Sequence, residues 1–275
     1  MRKLGLIAGG GSLPISLARH CQGAARPLFL IRLRGFAGPE LADFPGADVG
    51  LAELGKGIRA LRDAGCESIC LAGIVSRPDF RALKPDLRGL AALPGAIAAA
   101  RHGDDRLLSF LVGEFEKEGF IVEGAHQVMA SLTLGEGQLG RHAPDGADLL
   151  DIDRAMAAAR AIGGLDAGQA AVSCDGLILA LEAQEGTDAM LARVAGLPVA
   201  IRGTPGRRRG VLAKACKPAQ ETRVDLPTIG PRTVRSAAEA GLAGIVGEAS
   251  RILILERETV AALADELGLF VLGLP

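Results

Sequence analysis

Short apolar runs alternate with stretches of helical spacing along the first half of the chain. Residues 3–8 (KLGLIA) read as a strand, residues 9–11 as a glycine turn, residues 13–21 as a helix and residues 27–32 as a second strand. That order predicts a parallel, covered sheet, because only a crossover returns the chain to pair in parallel. Residues 55–64 keep helical spacing, residues 68–74 are apolar and β-rich, and residues 104–118 form an amphipathic pattern opening on Asp104 and Asp105. Residues 120–122 are expected as another central strand.

Between residues 134 and 147 (LGEGQLGRHAPDGA) periodicity gives way to glycine and polar residues, which marks a connection between domains. The expected architecture is α/β throughout. Residues 1–134 form a Rossmann-like parallel-sheet domain, and residues 135–275 an α/β domain with a mixed sheet. The second half opens with a helix near 151–162. Runs at 170–173 and 177–182 flank Cys174-Asp175-Gly176, whose Asp-Gly pair signals a tight antiparallel hairpin. Further strands are expected at 197–201, 210–215, 252–255 and 270–272. Helices are expected at 187–194, 231–240, where Pro231 suits the first turn, and 258–267.

The 275 residues carry a formal net charge of -1, and Arg207-Arg208-Arg209 is the one tight basic cluster, so broad nucleic-acid binding is not expected. With 49% hydrophobic residues but no Trp, no Tyr and 8 Phe, the cores must pack through aliphatic shape. Five dispersed cysteines, Cys21, Cys66, Cys70, Cys174 and Cys216, lack zinc or redox spacing and fit the reduced thiols of a cytoplasmic protein. The basic then apolar beginning resembles a signal peptide, yet the glycine run and Pro14 interrupt it, and a strand-turn-helix fits better. No run approaches the roughly 20 apolar residues that cross a bilayer, so membrane contact is expected to be peripheral.

The most informative stretch is VLAKACKPAQETRVDLPTIGPRTV at residues 211–234. Lys214 stands between Ala213 and Ala215, and Asp225 between Val224 and Leu226; charges in such company need partners, because an unpaired buried charge is strongly unfavourable. With Lys217 they suit a phosphorylated ligand, or else a solvated hairpin edge. Gly9-Gly10-Gly11-Ser12 lies where a doubly wound fold offers amides and a helix start to phosphate, although Pro14 and the basic Arg32 and Arg34 break the dinucleotide fingerprint. A simple tight turn is the alternative. Asp104 and Asp105 could hold a cation or ribose, or stabilise a helix start through its dipole. Asp151-Ile152-Asp153 matches an Asp-x-Asp metal-nucleotide pattern, but helix capping is the preferred reading. Glu182 to Asp188 (EAQEGTD) could gather sugar hydroxyls, a metal or an anion, or simply cap a helix with Thr187. The histidines, His20, His102, His126 and His142, show no metal-ligand spacing, and neither a serine-hydrolase elbow nor a Walker loop is present.

Four segments, LGLIAGGGSLP at the start, HGDDRLL at 102–108, EAQEGTDAML at 182–191 and residues 210–234, resemble the UDP-2,3-diacylglucosamine pyrophosphatases of the LpxI type in the lipid A pathway. The resemblance implies hydrolysis of UDP-2,3-diacylglucosamine to UMP and 2,3-diacylglucosamine 1-phosphate (lipid X), with magnesium or another divalent cation. It also implies two domains with the substrate between them, and maps the family's essential acid onto Asp225, as metal ligand or as the residue that positions water. Lys214 and Lys217 are then expected to contact the diphosphate, and Glu185, Gly186, Thr187 and Asp188 to complete the sugar or metal site. Uridine and ribose are expected near Gly10, Gly11, Ser12, Gly73, Ile74, Val75 and Ser76, with Asp104 and Asp105 as further substrate contacts. The acyl chains would take an apolar cleft of the second domain. The expected protein is cytoplasmic, touches the inner membrane surface peripherally, and forms a homodimer. A nucleotide-sugar transferase or oxidoreductase, and a non-catalytic UDP-lipid binding protein, are the competing readings.

Overall fold

The structure is a computed structural model describing residues 1–76, 79, 82–101, 103–218 and 220–275. The chain divides into two compact units, Met1–Ala130 with Glu221–Asp225, and Ser131–Gln220 with Leu226–Pro275.

The first unit runs β1 (Leu4–Ala8), α1 (Ser12–Gly23), β2 (Leu28–Leu33), β3 (Gly46–Val49), α2 (Leu54–Asp63), β4 (Ser68–Ala72), α3 (Leu87–Ala100), α4 (Asp104–Lys117), β5 (Ile121–Val122) and α5 (Ala125–Val128). Its five strands pair in parallel in the order β3-β2-β1-β4-β5, the expected Rossmann-like sheet. The chain order reverses between β1 and β4, where open sheets of this kind form a crevice at their carboxyl ends. Residues 120–122 do not make a central strand: β5 has two residues and lies at the sheet edge. One core joins Ile7, Ile31 and Ile69 from the sheet to Ile58 and Leu61 of α2 and Val112 and Phe115 of α4, and Val224 packs onto it from the returning segment.

The second unit runs β6 (Gly137–Leu139), α6 (Gly146–Gly164), β7 (Ala170–Cys174), β8 (Leu177–Leu181), α7 (Gly186–Ala195), β9 (Val211–Lys214), β10 (Thr228–Ile229), α8 (Pro231–Glu239), β11 (Gly244–Glu248), β12 (Leu253–Ile254), α9 (Arg257–Leu267) and β13 (Phe270–Leu274). Six strands form a mixed sheet in the order β6-β13-β11-β9-β7-β8. Its centre, β13-β11-β9, is parallel, and antiparallel pairs with β6 and with the expected β7-β8 hairpin flank it. Strand alternation divides β9 between two cores. Val211 and Ala213 meet Ile152, Ala155, Met156 and Ala159 of α6. Leu212 meets the opposite core, with Met190 and Leu191 of α7, Val234 and Ala237 of α8, and Val260 and Ala264 of α9.

Two expectations for this unit are corrected. Residues 197–201 form turns rather than a strand: Leu197 N–H donates to Val194 O at 3.0 Å and Ile201 N–H to Pro198 O at 3.1 Å, and Pro198 has no N–H for a ladder. The connection at 134–147 contains β6, whose glycine-rich sequence is held by pairing with β13 rather than by propensity. The run at 252–255 is strand as expected, but β12 pairs with β10 outside the main sheet.

All five cysteines are free and buried. Burial pushes the Cys70 thiol up to about 12 and that of Cys174 up to about 11, so both stay protonated and unreactive at neutral pH. Iodoacetamide at pH 8 is expected to leave Cys70 and Cys174 unmodified in the native protein and to alkylate both after denaturation, as read by peptide mass spectrometry; labelling of either in the folded state would contradict this environment.

Candidate functional site

In the first unit, the glycine turn after β1 meets the turn after β4. Gly10 N–H donates to Ile74 O at 2.9 Å, Ile74 N–H returns a bond to Gly10 O at 2.8 Å, and Gly9 N–H donates to Ala72 O at 2.8 Å. The glycines permit this backbone-to-backbone seam. A Cβ on Gly73 would lie 2.6 Å from Gly10 O and 2.7 Å from Pro14 Cγ, and Gly73 has φ 96°, a region open to glycine. Pro14, which breaks the dinucleotide fingerprint, thus fills the space that Gly73 leaves. The amides of Gly9 and Gly10 serve the seam. Gly11 is the N-cap of α1 with φ 86°, no side chain caps this helix, and no acid sits in its first turn. That end of α1 therefore keeps its positive dipole unneutralised by local acids. Gly11, Gly73, Ile74, Val75 and Ser76 are exposed, and Gly10 and Ser12 half-buried, at the sheet's reversal point.

Asp104 and Asp105 occupy the first turn of α4 behind the N-cap Gly103, where acids favour the helix dipole; His102 lies outside the described residues, as does the Asp104 side chain. Asp225 ends the segment that the first unit takes back. The segment is a tight turn, with Val224 and Asp225 N–H donating to Glu221 O at 3.0 and 3.1 Å. Arg223 secures it, pairing with Glu221 and with Glu116 of α4, each at 2.7 Å. The Arg223 side-chain bond holds the Glu221 carboxyl below the ordinary range.

In the second unit Lys214 is only 5% exposed at the carboxyl end of β9. Its Nζ donates to Thr187 Oγ1 at 3.1 Å and to the Thr228 carbonyl of β10 at 2.9 Å. Thr187 Oγ1 in turn donates to Glu182 Oε1 at 2.7 Å, and Glu182 Oε2 accepts the Gln169 N–H at 3.0 Å. Lys217 Nζ goes elsewhere, to Asp166 Oδ1 at 2.9 Å beyond the end of α6. The two lysines are thus drawn toward helices on opposite faces of the sheet. At the start of α7, Thr187 is brought to Lys214, whereas Glu185 pairs with Arg193 at 2.6 Å and Asp188 with Arg232 at 2.8 Å. Thr187 does not cap the helix; Glu185 holds the N-cap position, and the Thr187 hydroxyl is spent on Glu182 and Lys214.

Asp151 also departs from its expected role. The cap of α6 is Asp145, while Asp151 lies inside the helix, 3% exposed. Its carboxylate accepts the Ser173 hydroxyl at 2.7 Å and the amides of Asp175 and Gly176 at 3.0 and 2.8 Å, and so clamps the β7-β8 hairpin turn. Sequence reasoning placed Glu182 in a chemical loop without giving it a role. Its only signal was an acid at the end of an apolar strand, three residues before Glu185.

Among the described residues no group of three or more His, Cys, Asp or Glu is placed to hold a metal ion. A closed protein cage for a cation is therefore not formed by these residues. A magnesium ion ordinarily needs only one or two carboxylates when a substrate's phosphates and water supply its other ligands.

Two α/β units, one with a glycine seam at a sheet's reversal point and one with a buried lysine at a strand end, define a class of two-domain α/β proteins. Residues 3–132 match the LpxI N-terminal domain and residues 135–272 the LpxI C-terminal domain, so the chain belongs to the LpxI family. It is similar to the UDP-2,3-diacylglucosamine pyrophosphatase LpxI of Caulobacter vibrioides, 63% identical over 273 residues that cover 99% of this chain and 98% of the relative. The family read from the four motifs is borne out.

Two changes test these arrangements. Gly73→Ala forces a Cβ against Gly10 O at a positive φ and is expected to cost about 1–3 kcal/mol, read as a lowered midpoint in urea. Arg223→Ala removes the Glu116 and Glu221 pairs. Because the Glu221 carboxyl is depressed in the folded state, the pair's contribution is present above the ordinary carboxylate range and is lost as pH falls through the depressed value. The stability difference between wild type and Arg223→Ala is therefore expected to shrink between pH 7 and about pH 3; a difference that grows on acidification would refute the clamp.

Proposed function

We propose that this protein hydrolyses the diphosphate of UDP-2,3-diacylglucosamine, releasing UMP and 2,3-diacylglucosamine 1-phosphate. The observation that carries the site assignment is Lys214, an ammonium 5% exposed yet fixed at the carboxyl end of β9, which runs parallel to β11, where an anionic ligand would meet it. The similarity to the Caulobacter vibrioides pyrophosphatase supports the substrate.

In this reading water attacks the sugar-side phosphorus, the bond from that phosphorus to the bridging oxygen breaks, and UMP leaves with that oxygen while water gives up its proton. Lys214 and Lys217 offset charge on the diphosphate, and Asp225 ligates a divalent cation or orients the attacking water. Glu185, Gly186, Thr187 and Asp188 border the sugar or metal site. Uridine lies at Gly10, Gly11, Ser12 and Gly73 to Ser76, with Asp104 and Asp105 nearby. Magnesium would supply Lewis-acid neutralisation of the phosphoryl oxygens. A cytoplasmic enzyme with peripheral contact at the inner membrane surface fits a substrate with two acyl chains; among the described residues no helix is long and apolar enough to cross a membrane.

The test follows phosphorus resonances of UDP-2,3-diacylglucosamine mixed with the protein, with magnesium and with a chelator. UMP and a lipid monophosphate are expected with magnesium and loss of turnover with the chelator. Binding without UMP release indicates a carrier, and dependence on an acceptor a transferase. Asp225→Ala is expected to reduce turnover by at least about 1,000-fold while substrate still binds; a near-normal rate removes Asp225 from the mechanism.

A further inference from the structure

The chain of contacts behind Lys214 has a direction. Glu182, 6% exposed, follows the last residue of β8, and its own N–H continues the ladder to Ala170 O at 2.9 Å. Its carboxylate has no proton to give when ionised, so it is an acceptor at both oxygens: Oε2 takes the Gln169 amide and Oε1 takes the Thr187 hydroxyl. The single hydroxyl proton of Thr187 is thereby pointed at Glu182, and the oxygen's lone pairs are left for Lys214 Nζ at 3.1 Å. The Thr228 carbonyl at 2.9 Å fixes the ammonium from a second direction. Were the hydroxyl free to rotate, its proton would at times face the ammonium and repel it.

We propose that Glu182 and Thr187 are positioning residues for Lys214, with Thr187 acting through its orientation by Glu182 rather than by touching the substrate. The proposal rests on the reading of Lys214 as the group that meets the diphosphate. It narrows the part taken by Thr187 within that reading. Orientation matters here because a cation displaced by about 1 Å from charge developing on a phosphoryl oxygen forfeits much of its stabilisation of the transition state. Ground-state binding, shared among many contacts, is affected less.

Steady-state kinetics on the full chain separate the possibilities. Lys214→Met first tests the parent reading and is expected to lower kcat at least about 100-fold. Thr187→Val, nearly isosteric but without the hydroxyl, is expected to lower kcat about 30-fold with KM changed less than about threefold, while Thr187→Ser stays within about threefold of wild type. Glu182→Gln is expected to lower kcat about 10-fold, and the double variant Glu182→Gln with Thr187→Val to match Thr187→Val alone, because the carboxylate works through the hydroxyl. Should Thr187→Val fold poorly by thermal melt, Glu182→Asp, which keeps the charge but shortens the reach, is expected to show the same loss of kcat without a rise in KM. Loss in Lys214→Met with normal kcat in Thr187→Val and Glu182→Gln overturns the proposal and leaves the parent reading standing. Additive losses in the double variant, or a Thr187→Val defect confined to KM, also overturn it. A normal rate in Lys214→Met removes both readings.

Discussion

An ammonium set into the end of an aliphatic strand is the constraint around which the second unit is organised. Val211, Leu212 and Ala213 before Lys214 are fully buried, so the sheet cannot present that charge to bulk water without breaking its own packing. Removing a cation from water costs several kcal/mol unless polar groups replace its hydration. The replacement comes from separate elements, the first turn of α7 and the short strand β10, and the carboxylate of Glu182 stands one hydrogen bond behind. This gives β10 and β12 a reason to exist as a two-residue pair outside the main sheet: they hold the Thr228 carbonyl at the end of β9. Placement of α7 is constrained in the same way, since its second residue must reach both Glu182 and Lys214.

The first unit builds its exposed sheet end by a different route. There the turns after β1 and β4 press backbone against backbone, with Gly9, Gly10 and Gly73 giving up side chains so that amide-carbonyl bonds can form between them. Side chains then enter around the seam: Pro14 closes it from α1, and Ile74 stands 69% exposed on the outside. A backbone seam next to a helix start leaves room for close approach by an anionic ligand. The two units thus use opposite means, backbone amides and fixed side-chain charge, at the carboxyl ends of their parallel strands.

Much of this was legible in the chain because the strands near both sites are buried and therefore written as continuous apolar runs. The alternation of residues 3–8, 13–21, 27–32 and 68–74 gave the parallel sheet, and Asp175-Gly176 gave the hairpin. Lys214 stood out because a charge between alanines conflicts with its surroundings. What stayed hidden depends on contacts distant in sequence. Strand β11 (GIVGE) is rich in glycine because Phe270 lies over Gly244, and α3 carries Pro94 inside it, so neither matches its own propensity. Asp151 looked like a helix start because its partners, Ser173 and the turn at Asp175, are more than twenty positions away. Residues 197–201 looked like a strand on composition, and Pro198 decided otherwise.

The return of Glu221–Asp225 to the first unit carries a consequence for how the molecule is made. Val224 contributes to the core of that unit, and Arg223 ties it to Glu116, yet both residues are translated some ninety positions after Ala130. A nascent chain that has delivered every strand of the five-stranded sheet still lacks part of the surface that closes it. The unit is completed only when the ribosome has synthesised most of its neighbour, so a fragment cut at the first crossing would lack the Val224 contact with its core. The aspartate at the end of that segment comes into place in the same late step, which couples the appearance of Asp225 to the integrity of the whole chain rather than to either half.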